Sequence, residues 1–219
     1  MEMDSIPHMF WYWGEDTATD EEKRLFDRIC EFGEYFEDMV FEEGTKSYEL
    51  IKCKAKLPGS DEWVDDTVPL PDELTCFSYT FFHYSIQPLK KGYYGVFNTR
   101  SQTLTVSSEP TDSTILHEMI HMHEFVINEL PMFYHDTLYW ALYRDLKDKI
   151  PNLDDIISDH AHLLIGKSLY FTGGLHDVLF LLKSFDLDIK MKCPLGTVFS
   201  YDRDEELKGY SYIDEKDNE

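Results

Sequence analysis

No segment of this 219-residue sequence approaches the roughly 18 consecutive apolar residues that cross a bilayer, so no membrane helix is expected. The first residues, MEMDSIPHMFWYWGED, lack both the basic start and the smooth apolar core of a secretory signal. Cysteine is scarce and unpatterned. Cys30, Cys53, Cys76 and Cys193 form no CxxC pair, which excludes a zinc ribbon or redox motif of that type and leaves buried thiols as the expectation. Basic residues are outnumbered: 20 Lys and Arg stand against 43 Asp and Glu, for a formal charge of −23. Such a chain repels other polyanions, so direct nucleic-acid binding is not expected. Together these absences predict a soluble, cytoplasmic protein with no membrane partner.

What is present points to a folded core. At 42% hydrophobic and 15% aromatic residues the chain is too rich in core formers to be disordered, and its length suits one domain. The domain is expected over residues 1–203, followed by an acidic tail at 204–219. Leu25, Ile29, Phe32, Phe36 and Val40 recur at helical spacing and predict a first helix over about 19–44, capped by Thr19 or Asp20. Residues 56–75, with three prolines among many acids, predict a long loop. Strands are expected at 76–86, 92–97 and 103–107, making a small antiparallel sheet and, with the helix that follows, a core at 76–150. Helices are expected at about 112–129, 136–149, 153–169 and 174–185, the last two within a C-terminal helical segment at 151–190. The fold class is α+β, a small sheet packed on a mainly helical domain.

One stretch carries chemistry. Residues 113–125 read STILHEMIHMHEF, and His117, Glu118 and His121 within it spell HExxH. On a helix, residues four apart differ by about 40° in direction and about 6 Å in rise, so two imidazoles can share one metal ion. Glu118 points about 100° from His117, towards a water beside the metal, where a carboxylate acts as general base. Asp112 or Ser113 supplies a cap, and Ile115, Leu116, Met119, Ile120 and Val126 would bury the rest of the helix. Without a metal, the pair would be core histidines with satisfied hydrogen bonds.

A catalytic zinc takes three protein ligands and leaves a fourth position open. His123 lies about 200° from His121 on the same helix and cannot complete the set. Glu124 shares the face of His117 but sits about 10 Å along the axis, so a hydrogen bond to His121 is its best functional role. Solvated surface is otherwise expected of both residues. HExxHxxGxxH fails, because position 124 is Glu and position 127 is Ile. His135, after Pro131 and before Asp136 as a helix cap, can face back towards the motif. Rival donors are Asp154, Asp155, Asp159, His160 and His162.

HEMIH, then YHDTLYWALYRDL, preceded by GYYGVFNTRSQTLTVSSEPTDSTILHE, resembles the zinc domain of SprT-like metalloproteases and their small gluzincin-like relatives over roughly residues 90–150. The resemblance implies a zincin-like fold with His117, His121 and His135 as ligands of one zinc ion and Glu118 as the base. It also implies that Tyr139 and Trp140 pack the second helix behind His135. The chain departs from the family in having Asp136 where Gly or Ser is common, no zinc ribbon, and an acidic balance where DNA-associated relatives are basic.

The expected activity is zinc-dependent hydrolysis of a peptide or protein substrate, with Glu118 passing a proton from water to the leaving amine. Leu104, Thr105, Val106 and Ser107 are the expected edge strand for an extended substrate. Tyr134, His160, His162 and Tyr170 are candidate oxyanion donors, with packing or capping as the alternative role. His176, after two glycines, reads as the start of a helix. The apolar run from Leu175 to Leu182 could pack across a groove and block the site. Two other classes compete: a non-catalytic zinc-binding interaction protein, and an acidic DNA mimic or inhibitor.

Overall fold

The computed structural model describes residues 18–36, 52–56, 63–67, 79, 82–127, 133–159, 176–200 and 210–213, with the backbone alone at 52–56, 63–67 and 133–137. Helix α1, Asp20–Phe32, starts at a reciprocal cap. The Thr19 hydroxyl accepts the Glu22 N–H at 3.2 Å, and the Glu22 carboxylate accepts the Thr19 N–H at 2.9 Å. Three acids in its first turn complement the helix dipole. Leu25, Ile29 and Phe32 form its buried stripe, which one 3-10 turn, Gly33–Phe36, extends to Phe36. The expected continuation to residue 44 lies outside the described residues.

Two short strands follow, β1 (Lys52–Lys56) and β2 (Trp63–Thr67), paired antiparallel with Lys54 opposite Asp65. This corrects the expectation of an unbroken loop from 56 to 75. Trp63, Val64 and Thr67 are good strand formers despite the acids around them, and they have a partner strand.

The main sheet contains β3 (His83–Ile86), β4 (Gly95–Asn98) and β5 (Thr103–Val106) in the order β3-β5-β4. The α+β class holds, but the sheet is mixed, not antiparallel: β4 and β5 form a hairpin, and β3 joins β5 in parallel. The chain leaving β3 skips one position before β4, so the returning β5 fills the middle. Leu104–Ser107 is therefore not a substrate edge. Both sides of β5 are taken by ladders, Leu104 and Val106 are fully buried, and the Ser107 N–H donates to the Tyr94 carbonyl. The hairpin turns at Asn98, whose side-chain oxygen accepts the N–H groups of Arg100 and Ser101 at 3.0 and 3.1 Å.

Helices α2 (Asp112–Ile127), α3 (Phe133–Lys149), α4 (Leu153–Asp159) and α5 (Val178–Lys190) complete the described elements. Thr111, one residue before the expected caps, accepts the Thr114 N–H at 3.2 Å. Arg28 of α1 grips Asp112 at the start of α2 with a two-nitrogen contact of 2.7 and 3.2 Å. Helix α3 begins three residues earlier than expected, so Asp136 lies inside it and is not its cap.

Helix α5 is the centre of the molecule. Every residue from Leu179 to Asp188 is buried: Leu179–Leu182 form an apolar run round the first turn, and the polar residues that follow are buried with it. It packs against both α2 and α3. Its run is thus core and not a strap across a groove. The buried Lys183 ammonium donates to the Asp186 carboxylate at 2.7 Å and to the Tyr35 carbonyl at 2.6 Å, tying α5 to the turn after α1. Among the described residues, no helix is long and apolar enough to cross a membrane.

Candidate metal centre

Helix α2 is covered by α1, by α5 and by β4 and β5. That enclosure decides the state of its polar residues. His117, Glu118, His123 and Glu124 are all buried, and His123 and Glu124 have no exposed surface at all. The expectation of solvated His123 and Glu124 is thereby corrected. An amphipathic stripe predicts one wet side, but here apolar residues occur all round the helix and neighbours cover each face.

His117 and His121 bring their rings to a centroid separation of 5.1 Å, as the i, i+4 spacing predicts. The third imidazole comes from His176, just before Asp177, which caps α5 by accepting the Phe180 N–H at 3.0 Å. His176 Nε2 lies 3.0 Å from His117 Nε2. One ligand nitrogen from each of the three histidines fits within a mutual spacing of 4.8 Å. A tetrahedral zinc with bonds of about 2.0–2.1 Å spaces its nitrogens by about 3.4 Å, so modest side-chain adjustment suffices.

The donor chemistry suits a metal. Val198 C=O can only accept, so His117 Nδ1, 2.9 Å away, donates to it and leaves Nε2 with its lone pair towards the other rings. His121 Nδ1 lies 3.1 Å from Glu124 Oε2, the contact that fixes a ligating imidazole from behind. Burial, reinforced by His121 and His176, holds the His117 pKa well below its ordinary value. Burial likewise pushes His121 to about 3 and His176 to about 4. All three are neutral near pH 7, the ligating form. Burial, with Asp177 nearby, raises the Glu124 pKa, and its Oε1 has no hydrogen-bond partner among the described residues. A bound cation would favour its carboxylate. Phe180 lies within 4.5 to 4.7 Å of all three imidazole centroids and, with Phe199, forms an aromatic wall.

Comparison with family models, curated proteins and solved structures finds no match.

His123 points away from the three histidines. Its ring stacks on Phe36 at 4.4 Å and 9°, with Tyr79 Oη at 3.5 Å from Nε2, in a packing role. Glu118 turns to the sheet. A Cβ added at Gly95 of β4 would stand 2.4 Å from its Cγ and 2.7 Å from its Oε1, so only glycine lets the strand approach this closely.

His135 and Tyr134 lie in the first turn of α3, and their side chains are outside the described residues, as are His160, His162 and Tyr170. Asp154 is engaged on the surface by Lys147 and Tyr143, and Asp155 and Asp159 are exposed; none of the three joins the histidine group. Trp140 is exposed, whereas Tyr139 is half-buried against the core and stacks with Tyr143. Cys30 is exposed and Cys193 half-buried, both as free thiols, contrary to the expected burial of Cys30.

Proposed function

We propose that this protein is a zinc-dependent metallopeptidase whose metal is held by His117, His121 and His176, with Glu118 as general base. The observation that carries the reading is the convergence of three neutral imidazoles. The Nδ1 atoms of His117 and His121 are each engaged from behind, by the Val198 carbonyl and Glu124. Three histidines with a fourth position for water are a catalytic, not a structural, zinc set. Zinc in such a site supplies Lewis acidity, polarising a carbonyl and acidifying water. Glu118 takes a proton from the attacking water and delivers it to the leaving amine, so the peptide C–N bond breaks without a covalent enzyme intermediate.

Peptide as substrate is supported by the resemblance of HEMIH and its flanking strands to SprT-like enzymes, and by the sheet. Among the described residues strand β4 is an edge, and its Gly95 abuts Glu118. An extended peptide added to β4 would run past the base, using main-chain hydrogen bonds with little sequence selectivity. The exposed thiol of Cys30 supports a cytoplasmic setting.

The test is elemental analysis of the purified chain alongside His176→Ala and His135→Ala, with peptidase assays of Glu118→Gln. The expectation is one zinc per chain, lost in His176→Ala and retained in His135→Ala, and a Glu118→Gln protein that keeps zinc but hydrolyses nothing. Zinc retained by His176→Ala would reject the ligand set. Zinc present with no Glu118-dependent hydrolysis would leave a zinc-binding interaction protein.

A further inference from the structure

The C-terminal end of α5 reaches the histidine cluster by a second route, apart from His176. Asp188 is fully buried. Its Oδ2 accepts the Gly196 N–H at 2.7 Å and its Oδ1 the Val198 N–H at 2.9 Å, while its own carbonyl accepts the Cys193 N–H at 2.8 Å. The chain from Cys193 to Val198 thus wraps round one side chain, turning at Gly196 with φ of 87°, a conformation suited to glycine. Val198 is held at both ends of its backbone: its N–H by Asp188, its C=O by His117 Nδ1 at 2.9 Å.

We propose that Asp188 is a positioning residue for the metal centre, folding the 193–198 turn so that the Val198 carbonyl selects the ring orientation and Nδ1–H tautomer of His117. The inference rests on His117 being a ligand. Space-filling alone does not account for an acid here, since an apolar side chain would fill the position without the desolvation that a buried carboxyl suffers. An apolar residue would instead leave two buried N–H groups unsatisfied and the turn free to shift. Groups that orient a ligating histidine from behind typically set metal affinity within a factor of 10 to 100. Here that group is a backbone carbonyl, and the side chain that places it is Asp188.

Asp188→Asn keeps the shape but presents an amide N–H₂ to one of the two backbone donors. Asp186→Asn is the control. Asp186 sits on the same helix and pairs with Lys183 and Lys190. Zn²⁺ titration of the full chain against a chromophoric chelator should show affinity weakened roughly 10- to 100-fold in Asp188→Asn and unchanged in Asp186→Asn. ¹⁵N-histidine spectra of the chelator-treated proteins should show the His117 Nδ1–H tautomer altered in Asp188→Asn alone.

Unchanged zinc affinity and tautomer in Asp188→Asn would overturn the proposal. So would equal loss of affinity in both variants, since general loosening would then explain it. Should Asp188→Asn fail to fold, Gly196→Ala strains the same turn from outside and must reproduce the loss. A wild-type chain that binds no Zn²⁺ would reject the metal reading, while the tautomer comparison still decides whether Asp188 places His117.

Discussion

Replacing Gly95 with alanine tests how Glu118 is held. The added methyl would lie 2.4 Å from Glu118 Cγ, 2.8 Å from Cδ and 2.7 Å from Oε1. Carbon atoms in contact prefer about 3.5–4.0 Å, so the carboxylate arm must retreat by about 1 Å. Glu118 is 2% exposed, which leaves no open solvent to retreat into. Overpacking of this kind costs about 1–3 kcal/mol, which in a chain of this size lowers Tm by roughly 3–10 °C. A displacement of about 1 Å in a reacting group also costs roughly 10²-fold in rate. Zinc content should stay at one ion per chain, because the three atoms nearest the methyl all belong to Glu118, which is not one of the proposed ligands. Calorimetry, elemental analysis and peptide hydrolysis on one preparation separate these effects. A Gly95→Ala protein that melts with the wild type and retains its rate would refute the proximity of β4 to the base.

His123→Ala should retain zinc while losing about 2–4 kcal/mol of stability, because the ring is fully buried and stacked on Phe36; urea denaturation and metal analysis read the two separately, and loss of zinc would contradict its exclusion from the site. The chelator-treated protein should be most stable near pH 6.5. Below that, the unfolded chain takes up protons that buried His117, His121, His123 and His176 refuse, because their folded pKa values are lowered, so stability falls as the pH drops. Asp177 and Asp188 act in the opposite sense. Burial raises them to about 6 and about 8, so their contribution is full below the unfolded value near 4 and is lost as pH rises through those values, and Glu124, also raised by burial, adds to that loss. Between about pH 6.5 and 8, Asp188→Asn should flatten the decline by about 1.4 kcal/mol per pH unit, as read from Tm against pH; an unchanged slope would remove Asp188 as its source.

The HExxH pair and its helix were legible in the sequence because their spacing is a local property. So were the capped start of α1 and the β4–β5 hairpin. The order of the sheet was not, since nothing local says that β3 pairs with the strand after next. The position of His176 shows the limit most clearly. A His-Asp pair opens a helical pattern twice, at His135–Asp136 and at His176–Asp177. Only the second Asp is a cap in the fold. The helix it caps opens with VLFLL, an apolar run that covers every side of its first turn and predicts a central place. A histidine just outside such a helix is carried to the edge of the core, and that was the available signal. The bond of Glu124 to His121 was legible from the helical spacing, but the burial of Glu124 and His123 was not, because periodicity reports a helix's apolar faces but not how many neighbours cover it.

The separation in sequence between His121 and His176 gives the proposed metal a mechanical role. A cation joining them closes a loop of about 55 residues, and by the chain-entropy relation for cross-links such a closure removes about 4 kcal/mol of freedom from the unfolded chain. The ion would then rivet the start of α5 to α2. Catalytic competence and resistance to unfolding would share one switch, so chains made without zinc would be the first to be lost to proteolysis.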